Sequence, residues 1–369
     1  GCTVVYGCGA ALAAPGGVVW YAEVPKNEVQ FRARAGLPTN LGVPVALPSK
    51  AAYKRSYFVD WPVLNRHRRA VLGGVGVFID AQRPEDPTWM RGSDWRLAMA
   101  DVAGHVFRVR PWFEPGPWGG QWCRRHIRAL PPAPNYAWSF ELIAPENGVL
   151  LGDGRHVLES SFDWFMMAHG ASILGPRGVW FGDEFPIRFD FLDTVEGGNL
   201  SVQVHPAPGY IRGRFGERFT QDEAYYILDA APGARVNLGF QEGVTPDGFR
   251  EALEASERGG VALDAERWVQ SLPSRRHDLF LIPHGTVHGA GVGNLVLEIS
   301  ATPYIFTFKL YDWLRPDLDG KPRPLNVVRG MENLDFGRAG DRVTEELVSQ
   351  PVLIGRGEGW TVENLPTHA

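Results

Sequence analysis

Cysteine is scarce in this chain, with three residues at positions 2, 8 and 123. Three thiols cannot build a disulfide framework, and none is spaced from another as a metal pair would be. That usage favours a reducing compartment, so a cytoplasmic setting is the expectation. An excess of positive charge is missing as well: 37 Lys and Arg stand against 42 Asp and Glu, a net charge of -5. Without a Lys/Arg block, neither a nucleic-acid partner nor a membrane surface is expected. A long apolar run is also lacking. The most apolar stretch, residues 7–24, is rich in Gly and Ala, is interrupted by Pro15 and contains Glu23, which makes it a poor membrane span. It has no basic leader or cleavage context, so it is not read as a signal peptide. Gly7-Cys8-Gly9 lacks the third glycine and the Gly-Lys-Ser/Thr of a nucleotide loop, and is read as a turn.

Glycine and proline are plentiful, at 44 and 29 residues, which predicts many turns and short strands. A length of 369 residues allows two domains or one large one. The chain enters at once upon an apolar strand over residues 3–6, so the natural protein is expected to begin earlier. Strands are predicted over 17–24 and 74–80, a short helix or strand over 28–35, and a helix over 94–102 with Ser93 as N-cap and Gly104 as terminator. Residues 1–106 then form a small α/β segment to which no activity is assigned. A turn-rich stretch of aromatics from Pro111 to Trp122 opens the second part, 107–369. Short strands follow over 138–143, 160–167, 178–181, 185–192, 200–204, 224–228, 235–240, 278–282 and 295–299, the density of a sandwich or barrel. A helix opening at Thr245-Pro246-Asp247 and stopped by Gly259-Gly260, and a shorter one over 264–272, interrupt that pattern.

The chemistry gathers in Leu200-Ser-Val-Gln-Val-His-Pro206, read with Glu223 and with His288 of Ile282-Pro-His-Gly-Thr-Val-His288. Gln203 and His205 lie two apart in an alternating run, so both side chains leave one face of a strand. Glu223 opens a second strand and His288 follows a turn. Two imidazoles, a carboxylate and an amide oxygen suit one divalent transition ion, zinc first, with manganese, cobalt and iron as competitors. His284, four before His288 on a turn, is read as lining the pocket. His105, His126, His156, His169, His277 and His368 have no partner that the sequence names.

Four stretches, Asn199–Pro206, Asp222–Leu228, Ile282–His288 and Tyr311-Asp-Trp-Leu-Arg315, resemble successive signatures of the class I mannose-6-phosphate isomerases, in that family's order and at about its spacing. Pro111-Trp-Phe113 with Trp118-Gly-Gly120 resembles the family's opening motif. Phe185-Pro186 with Phe191-Leu-Asp193 resembles the strand before its Gln/His pair. The resemblance covers roughly residues 107 to 340. It implies a mainly β, cupin (jelly-roll β-barrel) fold with a helical insert, one zinc ion per chain, and an aldose-ketose isomerase acting on a sugar or sugar phosphate. By its motifs Gln203, His205, Glu223 and His288 are the metal ligands. Glu298 is the expected base, because the strand after His288 faces the same cavity and the family places an acid there. Lys309 and Arg315 are expected to hold substrate or to stabilise an enediolate, and Ser201 to lie near a phosphate.

The chain departs from the family where charge matters. Asp190, Gln221 and Lys309 stand where members usually carry Lys, Lys and Arg. Phosphate recognition needs fixed positive charge, and Lys does not replace Arg at a bidentate site. Arg188, Arg212 and Arg214 are the candidates to compensate. Two other readings therefore stay open: a sugar-binding or sensory cupin without turnover, and an isomerase of an unphosphorylated sugar.

Overall fold

The computed structural model describes residues 1–37, 39–317, 320 and 323–367, and His368 lies outside them. Internal contacts divide the chain into two compact units, Gly1–Pro111 with Leu142–Phe185, and Trp112–Glu141 with Pro186–Ala369. Leu142–Phe185 thus groups with the first unit, although it follows the boundary that the sequence analysis drew near residue 106.

The first unit is α/β. A three-stranded sheet pairs Val19–Glu23 in parallel with Val75–Asp80, which pairs antiparallel with Thr88–Arg91. Its core holds Phe78, Trp95, Met99, Trp164 and Phe165. Several expectations are corrected here. Residues 3–6 form no strand. The stretch 160–167 splits into the end of a strand, Val157–Ser161, and a helix, Phe162–Leu174. Phe162, Trp164, Phe165 and Met166 are all buried, and a helix apolar on every side carries no period to tell it from a buried strand. Gly178–Phe181 is likewise helical. Helices over Ser49–Arg55 and Trp61–Val71 were not foreseen. Ser93 caps nothing, since the helix starts at Gly92.

Four charged side chains pair with one another inside this unit. Arg68 Nη2 lies 2.9 Å from Glu23 Oε1 and its Nη1 3.1 Å from Asp163 Oδ2, while Lys26 also pairs with Asp163. Ser161 and Trp164 donate to Glu23. Burial pushes the Lys26 ammonium down against the pull of Asp163. Two cations thus meet two carboxylates in a dry interior.

The second unit is predominantly β. Beside a hairpin of Val352–Gly357 and Trp360–Asn364, its strands are β1 (Trp112–Glu114), β2 (Trp138–Leu142), β3 (Arg188–Asp193), β4 (Val202–Val204), β5 (Glu223–Ala230), β6 (Arg235–Phe240), β7 (Val269–Pro273), β8 (Leu279–Ile282), β9 (His288–Ala290), β10 (Asn294–Ser300), β11 (Phe308–Tyr311) and β12 (Val348–Ser349). Seven form one sheet in the order β12-β8-β5-β10-β3-β2-β1, and five form another in the order β7-β6-β9-β4-β11. Leu192, Tyr225, Ile227, Phe280, Ile282 and Val296 from the first sheet share a core with Val236, Leu238 and Ala290 from the second. The expected closed barrel is corrected: no ladder joins the two sheets among the described residues. The expected helix over 264–272 is a 3₁₀ turn, Ala265–Arg267, followed by β7. Pairing with β6 decides that segment against its local pattern. The helix Pro246–Gly259 forms as expected, with the Thr245 side chain accepting from Gly248 N. No described helix is long and apolar enough to cross a membrane.

Replacing Arg68 by Met leaves Glu23 without its guanidinium in a buried site. Breaking a buried pair in this way costs about 3–5 kcal/mol. Urea unfolding followed by circular dichroism is expected to show a loss in that range, and a loss under about 1 kcal/mol would count against the network as a stabilising element.

Candidate metal centre

Strand parity builds the site. In β5, Glu223, Tyr225 and Ile227 point inward, and in β10 Val296, Glu298 and Ser300 do the same, because Glu223 pairs with Ser300 and Tyr225 with Glu298. On the five-stranded sheet, Gln203 pairs with His288 on one side and with Lys309 on the other, which puts all three on one face. His205 follows β4 at the same parity as Gln203. The turn between β8 and β9 delivers His288. Gly285 takes φ 82° there, a conformation that glycine adopts without strain, and its N–H donates to His205 O at 3.0 Å.

His205, Glu223 and His288 come together, fully buried, with ligand atoms all within 4.8 Å of one another. His205 Nε2 lies 3.1 Å from Glu223 Oε2, and His288 Nε2 3.5 Å from Glu223 Oε1. Each imidazole spends its Nδ1–H on a backbone carbonyl, His205 on Phe306 O at 2.8 Å and His288 on Thr286 O at 2.9 Å. That leaves both Nε2 atoms as the outward lone pairs, the arrangement in which a metal-ligating histidine is held by its other nitrogen. Gln221 Nε2 at 2.8 Å and Ser300 Oγ at 3.2 Å donate to Glu223 Oε2. Glu223 Oε1 and His205 Nε2, in contrast, make no hydrogen bond of acceptable geometry among the described residues. An orphaned buried polar atom costs about 1–3 kcal/mol, more if charged. A divalent ion at the focus of these atoms removes that penalty, so the donor set fits a metal.

Gln203 lies beside the group. Ser201 Oγ donates to Gln203 Oε1 at 3.1 Å, and Gln203 Nε2 lies 3.2 Å from His288 Nε2. With the amide turned about its last bond, Oε1 faces the cluster and Nε2 faces the Ser201 hydroxyl, which also accepts.

The electrostatics follow from burial and proximity. Burial pushes the Glu223 carboxyl up, but His205 and His288 outweigh it and hold the group well below the usual carboxylate range. Burial lowers His205, yet Glu223 beside it leaves the imidazole raised. His288 is lowered, by burial first, with Glu223 opposing and His205 adding to the fall. Glu298 is pushed up to about 7, by burial first and by Glu223 second, with Arg188 acting against both.

The remaining predicted residues are placed as follows. Glu298 faces the interior and is paired with Arg188. Arg188, 2% exposed, is held by Glu141 and Asp190 as well as by Glu298. Arg315 Nη2 binds Asp312 Oδ1 at 2.6 Å, and Arg323 Nη1 lies 2.9 Å from Asp312 Oδ2. Arg212 and Arg214 are exposed on the helix Pro208–Phe215. His284 Nδ1 lies 2.8 Å from Asp222 Oδ1. The sequence reading missed Tyr225, whose buried hydroxyl has no hydrogen-bond partner among the described residues, and Glu141. Tyr225 was within reach, since it lies two residues from Glu223 and so shares its face.

Comparison with known proteins separates the two parts of the chain. Residues 1–104 match a family model described as a domain of unknown function, DUF8485. Mannose-6-phosphate isomerase ManA of Bacillus subtilis is 30% identical over 163 residues, 44% of this chain and 48% of that protein. The mannose-6-phosphate isomerase of Streptococcus mutans is 29% identical over 154 residues, 42% of this chain and 45% of that one. The chain spans about half the length of these curated relatives. The crystal structure of the mannose 6-phosphate isomerase from Bacillus subtilis aligns with a TM-score of 0.54 at 21% identity, covering 70% of this chain and 76% of that one, which shows a shared fold. Together with the four ordered motifs, these matches show that part of the chain is similar to mannose-6-phosphate isomerases.

Proposed function

We propose that the chain is a metal-dependent aldose-ketose isomerase built on a cupin-type pair of sheets, acting on mannose 6-phosphate and fructose 6-phosphate or on a close relative. The observation that carries this reading is the buried His205–Glu223–His288 group, with His205 Nε2 and Glu223 Oε1 making no hydrogen bond of acceptable geometry among the described residues, beside the inward carboxyl of Glu298. The names of the curated relatives point the same way. Gln203, His205, Glu223 and His288 would hold one divalent ion, zinc before its competitors for this mixed nitrogen and oxygen set. When bound, that ion supplies Lewis-acid stabilisation of charge on the sugar oxygens, worth several kcal/mol.

The chain's own residues do the rest. Glu298 removes the proton from the carbon next to the carbonyl and returns it to the former carbonyl carbon, while a second proton passes between the two oxygens. Lys309, opposite Gln203 in the ladder, shares its face and offsets negative charge on the enediolate. Ser201 fixes the Gln203 amide. Arg315 and Arg212 are the cations for a distal phosphate. A cytoplasmic setting accords with three cysteines that form no disulfide.

One observation favours a second reading, an unphosphorylated sugar. Phosphate capture needs uncommitted positive charge, yet Arg188 is enclosed by three carboxylates and Arg315 is bound to Asp312. Exchange of the C2 proton of mannose 6-phosphate and of mannose into deuterated water, with and without chelator, decides between them. Exchange with the phosphosugar that chelator abolishes supports the first reading, exchange with mannose alone supports the second, and sugar binding without exchange removes both.

His288→Ala is expected to lower metal content from about one ion per chain to under about a tenth, measured by elemental analysis. Glu298→Gln is expected to keep the metal and lose at least about 100-fold in kcat. The base acts only when ionised, so kcat/KM rises with pH through the Glu298 midpoint. That midpoint falls below 7 in the loaded protein, because an ion on Glu223 cancels the charge that helps to push Glu298 up. A profile flat from pH 5 to 8 would remove Glu298 from the role.

A further inference from the structure

One guanidinium in this interior is shared among three carboxylates. Arg188 Nη1 donates to Glu298 Oε1, and its Nη2 lies 3.2 Å from Glu141 Oε1 and 3.1 Å from Asp190 Oδ2. All four side chains are less than a tenth exposed. The ladder explains the need. Asp190 and Glu298 stand directly opposite each other on β3 and β10, a pairing of like charges that is repulsive by itself. Arg188, two residues before Asp190 on the same face, pairs with Ser300, which in turn pairs with Glu223. The guanidinium therefore lies against the end of the site where Glu298 stands one cross-strand diagonal from Glu223. Its planar fork reaches several acceptors at once, which a lysine ammonium on a flexible stem does not do.

We propose that Arg188 is the positioning residue of the site: it holds the Glu298 carboxyl aimed inward beside Glu223, while Asp190 and Glu141 hold Arg188 in turn, so that Glu298 releases and regains its proton without moving. The inference rests on the reading of Glu298 as the group that moves the proton. The charged and titratable groups that face Glu298 are Arg188 and Asp190 from β3, Glu141 from β2, Glu223 and Tyr225 from β5, and His205 after β4. Burial pushes the Asp190 carboxyl well up, with Arg188 opposing and Glu298 adding, so Asp190 and Glu298 compete for protons across the ladder. Removing the fork makes the ionised form of Glu298 harder to reach.

The test uses the metal-loaded full chain with carboxyl-labelled glutamate, the Glu298 carbon resonance being assigned by its loss in Glu298→Gln. Arg188→Lys is expected to keep the metal and a KM within about threefold, to lower kcat by about 10- to 100-fold, and to raise the Glu298 midpoint. Asp190→Asn, which keeps the shape of the side chain and removes the competing proton site, is expected to shift the Glu298 midpoint by about one pH unit and to move the acid limb of the exchange rate with it. Should Arg188→Lys fail to fold, Asp190→Asn decides alone. Midpoints unmoved in every folded variant overturn the proposal and leave the cluster a structural one. If the wild type exchanges no sugar proton, the isomerase reading falls, while the Glu298 midpoints still decide whether Arg188 and Asp190 govern that carboxyl.

Discussion

A carboxylate taken out of water must find protons, cations or hydrogen-bond donors, and Glu223 is such a carboxylate. One of its oxygens takes donors from Gln221 and Ser300 and the other takes none among the described residues. Two imidazoles reach it from the opposite sheet, each fixed from behind by a main-chain carbonyl. The ladder partners of β5, the turn at Gly285 and the short β4–β9 bridge all bring groups to this one carboxylate. The interior is short of positive charge around it, with Glu141, Asp190 and Glu298 set against Arg188 alone. A buried imbalance of that kind is tolerated where a cation belongs or where a proton is retained.

The first unit faces the same physical problem and solves it by pairing. Glu23 and Asp163 are met by Arg68 and Lys26 at contact distance, and Trp164 and Ser161 supply further donors. Each charge of that network has a partner, whereas Glu223 keeps one oxygen without a hydrogen bond among the described residues.

Much of the site was readable in advance because its residues obey a period of two. Gln203 and His205 sit in an alternating run between glycine and proline, and that alone puts them on one face. His288 was readable from its turn, which Pro283 and Gly285 mark. The side of the strand on which Glu298 falls was not, since it depends on which residue lies across from Glu223, and the ladder answers with Ser300. The grip of Glu141 on Arg188 joins positions 47 apart in sequence, through a strand order that no local pattern encodes. Elsewhere the helix Phe162–Leu174 was hidden by being apolar on every side, and β7 by a local pattern that suits a helix until β6 pairs with it. The density of short strands left a sandwich and a barrel both open and the resemblance pointed to the barrel, but neither fixes whether two sheets share an edge.

On β3, β5 and β10 the polar and charged groups of the interior occupy every second position: 188 and 190, 223 and 225, 298 and 300. The intervening positions form their own cross-strand row, Phe189–Ile299–Ala224–Leu281. Phe189 and Ile299 in that row are open to the surface, at 36% and 43% exposure. Sequence drift in this sheet is therefore split into two independent channels. The exposed positions of the outward channel, Phe189 and Ile299, can be rewritten while the inward one stays constant, whereas loss or gain of a single residue exchanges the two sets and erases the site with little change in the composition of the strand.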